Sequence, residues 1–328
     1  MGTYKGIQGY LVETLASDPG TLSEVQGKLW YNTTSNTWKL GTQSSGAWAT
    51  GGTLGTGRNQ ATTSGNATSA TIGGGRPSST PNSALCETYN GTAWTEVNAI
   101  NTSRVKAGGN GTSTACFMAG GGTGGGPSQL DVCEIWNGTC WTEVNNLNAA
   151  KYACTGTGTT TAGLLFGDGQ AESGETEEFN GTCWAEVNNQ IVGRGDTQGC
   201  GTQTATFCAG GSPGPAQQSN ELYNGTCWTE DANLNQKRVS GSASGTTTDG
   251  LVFGGYDADL PAPTNTVNVE QWNGTGWTEV ANIATKRTNT SGDGSGTNAI
   301  LAGGYDGSYL DNTEEWAAGP TAATVTTS

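Results

Sequence analysis

The chain has 328 residues, 55 of them glycine, and carries a formal net charge of −15 although only 12% of its residues are charged. This negative charge argues against binding nucleic acid through its phosphates. The absence of histidine excludes Ser-His-Asp and Cys-His catalysis and histidine-ligated zinc, copper or iron. Glycine, threonine and asparagine with scattered aromatic residues favour short strands and tight turns. We therefore expect an all-β chain without a cofactor.

Residues 1–42 stand apart from the repeats that follow them and hold three lysines, Lys5, Lys28 and Lys39. Within this segment, "GKLWYNTTSNTWKL" predicts a hairpin of two aromatic-rich strands around the turn "TTSN". About forty residues cannot bury a large core by themselves. We expect this segment to anchor the chain by docking on the rest of the molecule, on a sister chain or on a larger assembly.

A motif of constant spacing recurs through residues 43–318. Each copy has a tryptophan, a basic residue ten positions later, and a glycine sixteen positions after that. A glutamate stands seven positions before the tryptophan, and an aromatic residue follows the glutamate by two. The tryptophans are Trp48, Trp94, Trp141, Trp184, Trp228 and Trp277, the basic residues are Arg58, Arg104, Lys151, Arg194, Arg238 and Arg287, and the glutamates are Glu87, Glu134, Glu177, Glu221, Glu270 and Glu314.

The two ends of this repeat are incomplete in a complementary way. The copy at Trp48 has no glutamate before it, and Glu314 has no tryptophan after it. Six complete units result if the strand around Trp48 completes the last one, which is how a β-propeller closes its ring. Repeat lengths of 43 to 49 residues suit four-stranded blades. We predict an inner strand after the basic residue, a second ending at the glycine, a third with the glutamate and an outer one with the tryptophan, followed by a C-terminal tail at 319–328.

A Gly-Gly pair after an apolar strand, then an aromatic residue, then a tryptophan, resembles the kelch repeat across roughly residues 46–317. In the third copy, Asp168 replaces the second glycine. The Trp-Asp and Gly-His dipeptides that are typical of WD40 repeats are missing from the sequence. The resemblance implies a six-bladed, kelch-like β-propeller.

Five copies contain Asn-Gly-Thr shortly before the tryptophan, as in "NGTCWTE" at Asn137–Glu143. Asn-x-Thr is a glycosylation acceptor, but Asn-Gly between two extended segments is the strongest short hairpin signal and indicates a type I′ turn. We predict that these dipeptides join the third and outer strands and are not glycosylated.

Three cysteines, Cys140, Cys183 and Cys227, occupy one position of the repeat, directly before the tryptophan, where the other copies have alanine or glycine. A position that accepts only small residues favours small thiols in the core. A disulfide or metal-binding role for these cysteines stays open as the alternative.

The basic residue and the glutamate recur in all six copies. One interpretation is a ring of charge around a central channel. The favoured interpretation is an ion pair that bridges neighbouring strands or blades, because a buried charge requires a partner.

All variation in length lies between the glycine that closes the second strand and the next glutamate, where the distances are 13, 14, 10, 11, 16 and 11 residues. Loops that vary on a rigid scaffold are where binding residues usually lie. Tyrosine and aspartate suit a polar partner such as a glycan, whereas drift in solvated turns is the alternative. The candidate binding residues are Arg76, Tyr256, Asp257, Asp259, Tyr305, Asp306, Tyr309 and Asp311.

The stretches "GKLWYN" and "NTW", followed by repeats rich in glycine and threonine, resemble tail-fibre and other virion surface proteins of bacteriophages, particularly marine phages. The resemblance spans nearly the whole chain. It implies a structural protein that is assembled in the reducing cytoplasm of a host bacterium and displayed on the virion surface without membrane insertion. Its expected partners are other virion proteins at the N-terminal segment and a host glycan or receptor at the loops, and self-association stays open.

The leading hypothesis is therefore a non-enzymatic adhesion or structural protein. A passive decoration of the particle, or a scaffold for protein partners, is one alternative. A carbohydrate-active enzyme is another. A copper oxidase would require histidines and a sialidase its Ser-x-Asp-x-Gly-x-x-Trp box, both of which are missing, whereas a glycosidase that works with two carboxylates stays open.

Overall fold

The computed structural model describes residues 13–17, 28–43, 46–78, 82–123, 128–257 and 264–324. These residues form thirty β-strands and no α-helix, so a helix that could span a membrane is not found among them. The chain divides into two compact units, the first of Met1–Gly46 with Ala318–Ser328 and the second of Ala47–Ala317.

The strands are short, as glycine-rich and threonine-rich sequence between tight turns favours. In chain order they are β1 Glu13–Leu15, β2 Leu29–Asn32, β3 Thr37–Gln43, β4 Ala47–Thr50, β5 Thr62–Asn66, β6 Ser69–Gly73, β7 Cys86–Tyr89, β8 Trp94–Val97, β9 Gly108–Thr112, β10 Ala115–Ala119, β11 Cys133–Trp136, β12 Trp141–Val144, β13 Thr155–Thr159, β14 Ala162–Asp168, β15 Ser173–Phe179, β16 Trp184–Val187, β17 Gln198–Thr202, β18 Ala205–Ala209, β19 Asn220–Tyr223, β20 Trp228–Asp231, β21 Ser242–Gly245, β22 Gly250–Phe253, β23 Tyr256–Asp257, β24 Thr264–Asn265, β25 Val269–Trp272, β26 Trp277–Glu279, β27 Ser291–Gly294, β28 Asn298–Ala302, β29 Thr313–Ala317 and β30 Pro320–Thr324.

The first unit is a mixed sheet with the strand order β1-β2-β3-β30, in which only β1 and β2 run parallel. The predicted hairpin is confirmed, since β2 pairs antiparallel with β3. Asn32 stabilises its turn by accepting the backbone N–H groups of Thr34 and Ser35 at 3.1 and 3.0 Å. The sequence predicts a C-terminal tail at 319–328, whereas in the structure Pro320–Thr324 forms a strand that pairs with β3. This pairing satisfies backbone groups that a free edge of β3 would expose.

The second unit contains six four-stranded antiparallel sheets, numbered here 1 to 6. Sheets 1 to 5 take β5–β8, β9–β12, β13–β16, β17–β20, and β21, β22, β25 and β26. Sheet 6 takes β27, β28 and β29 as its first three strands and β4 as its fourth, with Trp48 opposite Trp316. The short pair β23–β24 lies between β22 and β25. This all-β arrangement of repeated sheets is consistent with the predicted β-propeller.

The repeat maps onto the strands as predicted. In sheet 2, Arg104 precedes the first strand, Gly120 follows the second, Glu134 and Trp136 lie in the third, and Trp141 begins the fourth. Second strands are apolar and almost wholly buried, as β10 and β28 show. First strands consist of small and polar residues and pack against the first strands of the neighbouring sheets, with β27 of sheet 6 beside β5 of sheet 1.

The repeated tryptophans pack within and between sheets. In every sheet, the fourth-strand tryptophan lies against the third-strand aromatic residue opposite it, with ring centroids 4.9–5.5 Å apart. Several also meet a second-strand phenylalanine of the preceding sheet edge to face: Trp184 meets Phe117, Trp228 meets Phe166, Trp277 meets Phe207 and Trp48 meets Phe253. Trp48 therefore makes the contacts of a fourth-strand tryptophan although it comes from the start of the unit.

Each sheet contains one ion pair between its basic residue and its third-strand glutamate, and the basic side chains are 0% exposed. This confirms the ion-pair interpretation over the ring of charge. The pairs are Arg58–Glu87, Arg104–Glu134, Lys151–Glu177, Arg194–Glu221, Arg238–Glu270 and Arg287–Glu314.

The ion pair of sheet 2 shows how these groups are satisfied. Arg104 Nη2 donates to Glu134 Oε1 at 2.5 Å, and Nη1 donates to the carbonyl oxygens of Gly120 and Val132 at 3.1 and 2.7 Å. Glu134 also accepts the backbone N–H of Asn101 at 2.7 Å. An equivalent bond to the glutamate recurs in the other five sheets. The segment that enters each sheet is thereby fixed to the third strand of that sheet.

Replacing Glu134 with alanine would leave the guanidinium of Arg104 buried without its counter-ion. We expect the free energy of unfolding to fall by about 3–5 kcal/mol, measured by urea denaturation with tryptophan fluorescence. The matched control is Glu143→Ala, because Glu143 lies directly opposite Glu134 on β12 and is exposed. That variant should stay within about 0.5 kcal/mol of the wild type. Equal effects of the two substitutions would contradict the structural role of the ion pair.

Deleting residues 1–52 would remove β4 and leave the edge of β29 without its partner. We expect aggregation or the loss of cooperative melting, because an unpaired strand edge promotes association between molecules. Scanning calorimetry with light scattering measures both effects. Deletion of residues 1–42, which retains β4, is the control. If the protein that lacks residues 1–52 melts as cooperatively as the one that retains β4, and neither aggregates, β4 is dispensable and the prediction is wrong.

Candidate functional site

The predicted binding residues lie in the stretches between second and third strands, which we call the variable segments. The residue two positions after the strand-closing glycine forms a backbone bridge with the segment entering the same sheet, in sheets 1, 2, 4, 5 and 6. Arg76, Tyr256 and Tyr305 all occupy this position, and each is half-buried. Three of the predicted side chains therefore start their variable segments at equivalent places.

The variable segment of sheet 6 presents aromatic and acidic side chains together. The rings of Tyr305 and Tyr309 meet edge to face with centroids 5.4 Å apart. Asp306 accepts the backbone N–H and the hydroxyl of Ser308 at 3.0 and 2.8 Å, and these hydrogen bonds lower the pKa of its carboxyl. Asp306 and Asp311 are both exposed. The segment thus offers two ring surfaces and two carboxylates to solvent.

The variable segment of sheet 5 contributes less than the sequence predicts. Asp257 is 1% exposed and accepts a hydrogen bond from Gln236 at 2.5 Å, so its carboxylate stabilises the fold and is not displayed. Asp259 lies outside the described residues. Asn265 Nδ2 donates to the carbonyl oxygen of Tyr305 at 2.7 Å. This hydrogen bond joins the variable segments of sheets 5 and 6, which the sequence predicts to be neighbours. Arg76 lies in the variable segment of sheet 1.

A cavity of about 130 Å³, the first cavity, is lined by the entering segments and the first-strand starts of all six sheets. Its rim comprises six residues, each two positions after the basic residue and each in the left-handed backbone region, with φ of 50–57°. They are Gln60, Lys106, Ala153, Asp196, Ser240 and Asn289.

These rim residues are joined through their backbones. Lys106, Ala153, Asp196 and Ser240 each donate an N–H to the carbonyl oxygen of the preceding rim residue, and Gln60 donates to Asn289, at 2.8–3.0 Å. Thr290, next to Asn289, donates to Ser240 at 3.4 Å. The bonds position the six side chains around one cavity.

Two of the charged side chains that line the first cavity, Lys106 and Asp196, form an ion pair across it, and the carboxyl of Asp293 is a third charged group in the lining. Lys106 Nζ lies 2.8 Å from Asp196 Oδ2 and stands over the ring of Tyr152, 5.5 Å from its centroid. Gln60 donates to Asn289 Oδ1 at 3.4 Å. The first cavity is thus polar and internally bonded. Sequence reasoning missed this rim, because its six positions share a backbone conformation and no common side chain.

A second cavity, of about 320 Å³, lies at the opposite ends of the first strands. Five of its lining residues are glycines of left-handed conformation that stand seven positions after the basic residue, namely Gly65, Gly111, Gly201, Gly245 and Gly294. An added Cβ there would lie 2.1–2.3 Å from a backbone oxygen at the start of the second strand or directly before it. Only glycine fits. Sequence reasoning missed these positions too, although a glycine at this spacing in every copy was available as a signal.

The Asn-Gly turns differ from the predicted type I′ turns. Asn137–Cys140 is a four-residue loop between paired tryptophans. Asn137 Oδ1 accepts the backbone N–H groups of Thr139 and Cys140, each at 2.9 Å. In the Asn137–Gly138 dipeptide, Gly138 has a positive φ and Asn137 does not, whereas a type I′ turn requires a positive φ at both residues. The same bonds form in the other four copies. An asparagine side chain that closes its own turn removes the need for two left-handed residues.

The prediction that the three repeated cysteines are core thiols is wrong. Cys140 and Cys183 are exposed and Cys227 is half-buried, because their position ends a surface turn. At the equivalent Gly276, an added Cβ would meet no atom within 4 Å, so packing does not require a small residue there. All nine cysteines are free thiols, and the other six are buried: Cys86, Cys116, Cys133, Cys154, Cys200 and Cys208.

Comparison of the chain with protein-family models and with curated proteins finds no match. Within the described ranges, no group of three or more histidine, cysteine, aspartate or glutamate side chains is arranged to hold a metal ion.

We expect a thiol reagent such as DTNB to react with three thiols of the folded protein within minutes, those of Cys140, Cys183 and Cys227. The remaining six should react only after unfolding, because burial raises thiol pKa values, that of Cys86 to about 11. Absorbance at the reporter wavelength counts the thiols released. The control is the triple serine variant, which should show no fast phase. A fast phase of six or more thiols would contradict the burial of the core cysteines.

Proposed function

We propose that the second unit is a closed, six-bladed, kelch-like β-propeller in which the strand around Trp48 completes the last blade. Trp48 makes both contacts of a fourth-strand tryptophan, with Trp316 in its own sheet and with Phe253 in the preceding one. The first strands of sheets 6 and 1 pack together. The hydrogen bond from Gln60 to Asn289 joins the rim residues of the same two sheets. These contacts support the closed ring.

We propose further that this propeller is a non-enzymatic adhesion or structural component of a bacteriophage virion, such as a tail fibre or another surface appendage. The observation that carries this proposal is the separation of a uniform scaffold from one variable edge. Ion pairs and tryptophan contacts repeat through the sheets, whereas the length of the repeat changes only in the variable segments. A rigid frame with variable loops is typical of recognition proteins.

The ligand that fits the variable edge best is a host surface glycan, with a protein receptor as the alternative. Tyr305 and Tyr309 supply aromatic faces on which a sugar ring can stack. The exposed carboxylates of Asp306 and Asp311 can accept hydrogen bonds from sugar hydroxyls. Asn265 from the neighbouring variable segment also bonds to the backbone carbonyl oxygen of Tyr305, which reduces the ordering of that backbone that binding would require.

The first unit is proposed to attach the chain to other virion proteins. Its sheet exposes two large apolar side chains, Leu29 at 36% and Trp38 at 42%. Exposed aromatic residues are enriched at protein interfaces. The nine free thiols agree with assembly in a reducing bacterial cytoplasm before display on the virion surface.

The geometry of the first cavity favours binding over glycoside hydrolysis. A glycosidase requires two carboxylates that flank the bound sugar. Asp196 is paired with Lys106 at 2.8 Å, and Asp293, the other carboxylate of this cavity, is 5% exposed. These two carboxylates therefore do not form the pair that a glycosidase requires.

Substituting Tyr305 and Tyr309 with alanine tests the recognition proposal. One aromatic contact contributes about 1 kcal/mol, so each substitution should weaken a single site about fivefold. Glycan arrays and flow cytometry with labelled protein on a panel of bacterial cells measure binding. Thr139→Ala is the control, since Thr139 is exposed in a turn at the opposite edge. Wild-type protein that binds no glycan or cell, or tyrosine variants that bind as well as the wild type, would favour a passive decoration of the particle.

A further inference from the structure

The second cavity is accessible, and its described lining consists of glycines and small or polar side chains. Ser69 and Thr112 in its lining are exposed, so the cavity communicates with solvent. Its left-handed glycines place backbone atoms, and not side chains, along much of the wall. A volume of about 320 Å³ accommodates a small organic molecule as well as water.

Among the described residues that line the second cavity, Asp293 is the one with a charged side chain, and it also lines the first cavity. Asp293 is 5% exposed and belongs to β27 of sheet 6. Its oxygens accept the N–H of Gly65 at 2.9 Å and the side-chain amide of Asn110 at 3.1 Å, and the thiol of Cys200 lies 3.7 Å away. Among the described residues, no lysine or arginine is within ion-pair distance of it. These donors favour the ionised carboxyl, but burial without a counter-ion disfavours it more, so a bound proton or cation would stabilise the group.

The groups around Asp293 cannot supply that positive charge. The strands beside it are β5, β9, β17, β21 and β28, and the one other titratable side chain they carry is Cys200. Cys116 faces it from β10. Burial raises the pKa of both thiols far above neutrality, so both stay uncharged. Among the described residues that line the first cavity, the one cation is Lys106, which is already paired with Asp196.

We infer that the second cavity binds a small primary ammonium group, with the carboxylate of Asp293 as its counter-ion. A single carboxylate balances one positive charge. An ammonium has three N–H donors, which match the carboxylate, the hydroxyl groups of Ser69 and Thr112, and the backbone oxygens of a glycine-lined wall. The net charge of −15 raises the local concentration of cations at the protein surface.

A proton competes with the ammonium for the same carboxylate. Burial raises the pKa of Asp293 from 3.8 to about 7. Above that pH the free carboxyl is ionised and can pair with a cation, whereas below it the group is neutral and the attraction is lost. Binding should therefore weaken as the pH falls through 7, by about tenfold per unit in the acid range.

The inference is tested on the full chain by titrating methylammonium chloride at pH 8 and pH 6, with isothermal calorimetry as the readout. Tetramethylammonium chloride has the same charge without N–H donors, and potassium chloride distinguishes a metal-ion site. The variant is Asp293→Asn. Its matched control is Asp196→Asn, because Asp196 lines the first cavity and not the second.

We expect methylammonium to bind at pH 8 and to bind about tenfold or more weakly in the Asp293→Asn variant, since a charge-assisted hydrogen bond is lost. The Asp196→Asn control should bind like the wild type. The pH 6 titration of the wild-type protein gives the same test without a substitution, should the variant fail to fold. No binding at pH 8, equal binding of potassium or tetramethylammonium, or binding unchanged at pH 6 would each overturn the inference. The test does not depend on the virion assignment.

Discussion

In each sheet, a buried ion pair fixes the segment through which the chain enters from the neighbouring sheet. Taking two charges out of water is costly unless their remaining hydrogen-bonding groups are also satisfied. Arg104 meets this condition by contacting both Glu134 and the carbonyl oxygen of Gly120, which closes the second strand. Arg58, Arg238 and Arg287 reach the equivalent glycine oxygens. The constant spacing from the basic residue to the glycine therefore matches a direct contact. Because the same arginine also bonds to the third strand, both ends of a variable segment are fixed, and its length can change without disturbing the sheet.

Sheet 3 shows what happens when this interaction changes. Its basic residue is Lys151, whose ammonium is a point charge that cannot match the two-armed geometry of arginine. Lys151 contacts Glu175 at 3.0 Å and Glu177 at 3.4 Å, so a second glutamate shares the charge. In the same sheet, β14 and β15 are seven residues long and their pairing shifts register between Phe166 and Asp168. The sheet without an arginine is thus also the sheet with the irregular second and third strands.

The sequence predicts best those features that depend on direct contacts between repeated residues. The strand positions of the tryptophans, the ion pairs and the N-terminal hairpin are all found in the structure. It predicts turns and exposure less well, because these depend on local hydrogen bonds. Asn137 closes a four-residue loop with its own side chain, and that loop carries Cys140 to the surface. Asp257 is buried and accepts a hydrogen bond from Gln236, which lies outside its variable segment. A local sequence pattern does not reveal such a contact.

The two ends of the first strands differ for a steric reason, and this difference separates the two cavities chemically. At the first cavity, residues such as Gln60 and Lys106 adopt a left-handed backbone, which costs roughly 1–2 kcal/mol for a residue with a side chain. Hydrogen bonds between neighbouring rim residues oppose that cost, and the side chains remain free to vary. At the second cavity, a Cβ on Gly65 or its equivalents would collide with the adjacent strand, so no side chain is permitted. The first end can therefore diversify in sequence, whereas the second keeps glycine at these positions, and Asp293 is the charged side chain among its described lining residues.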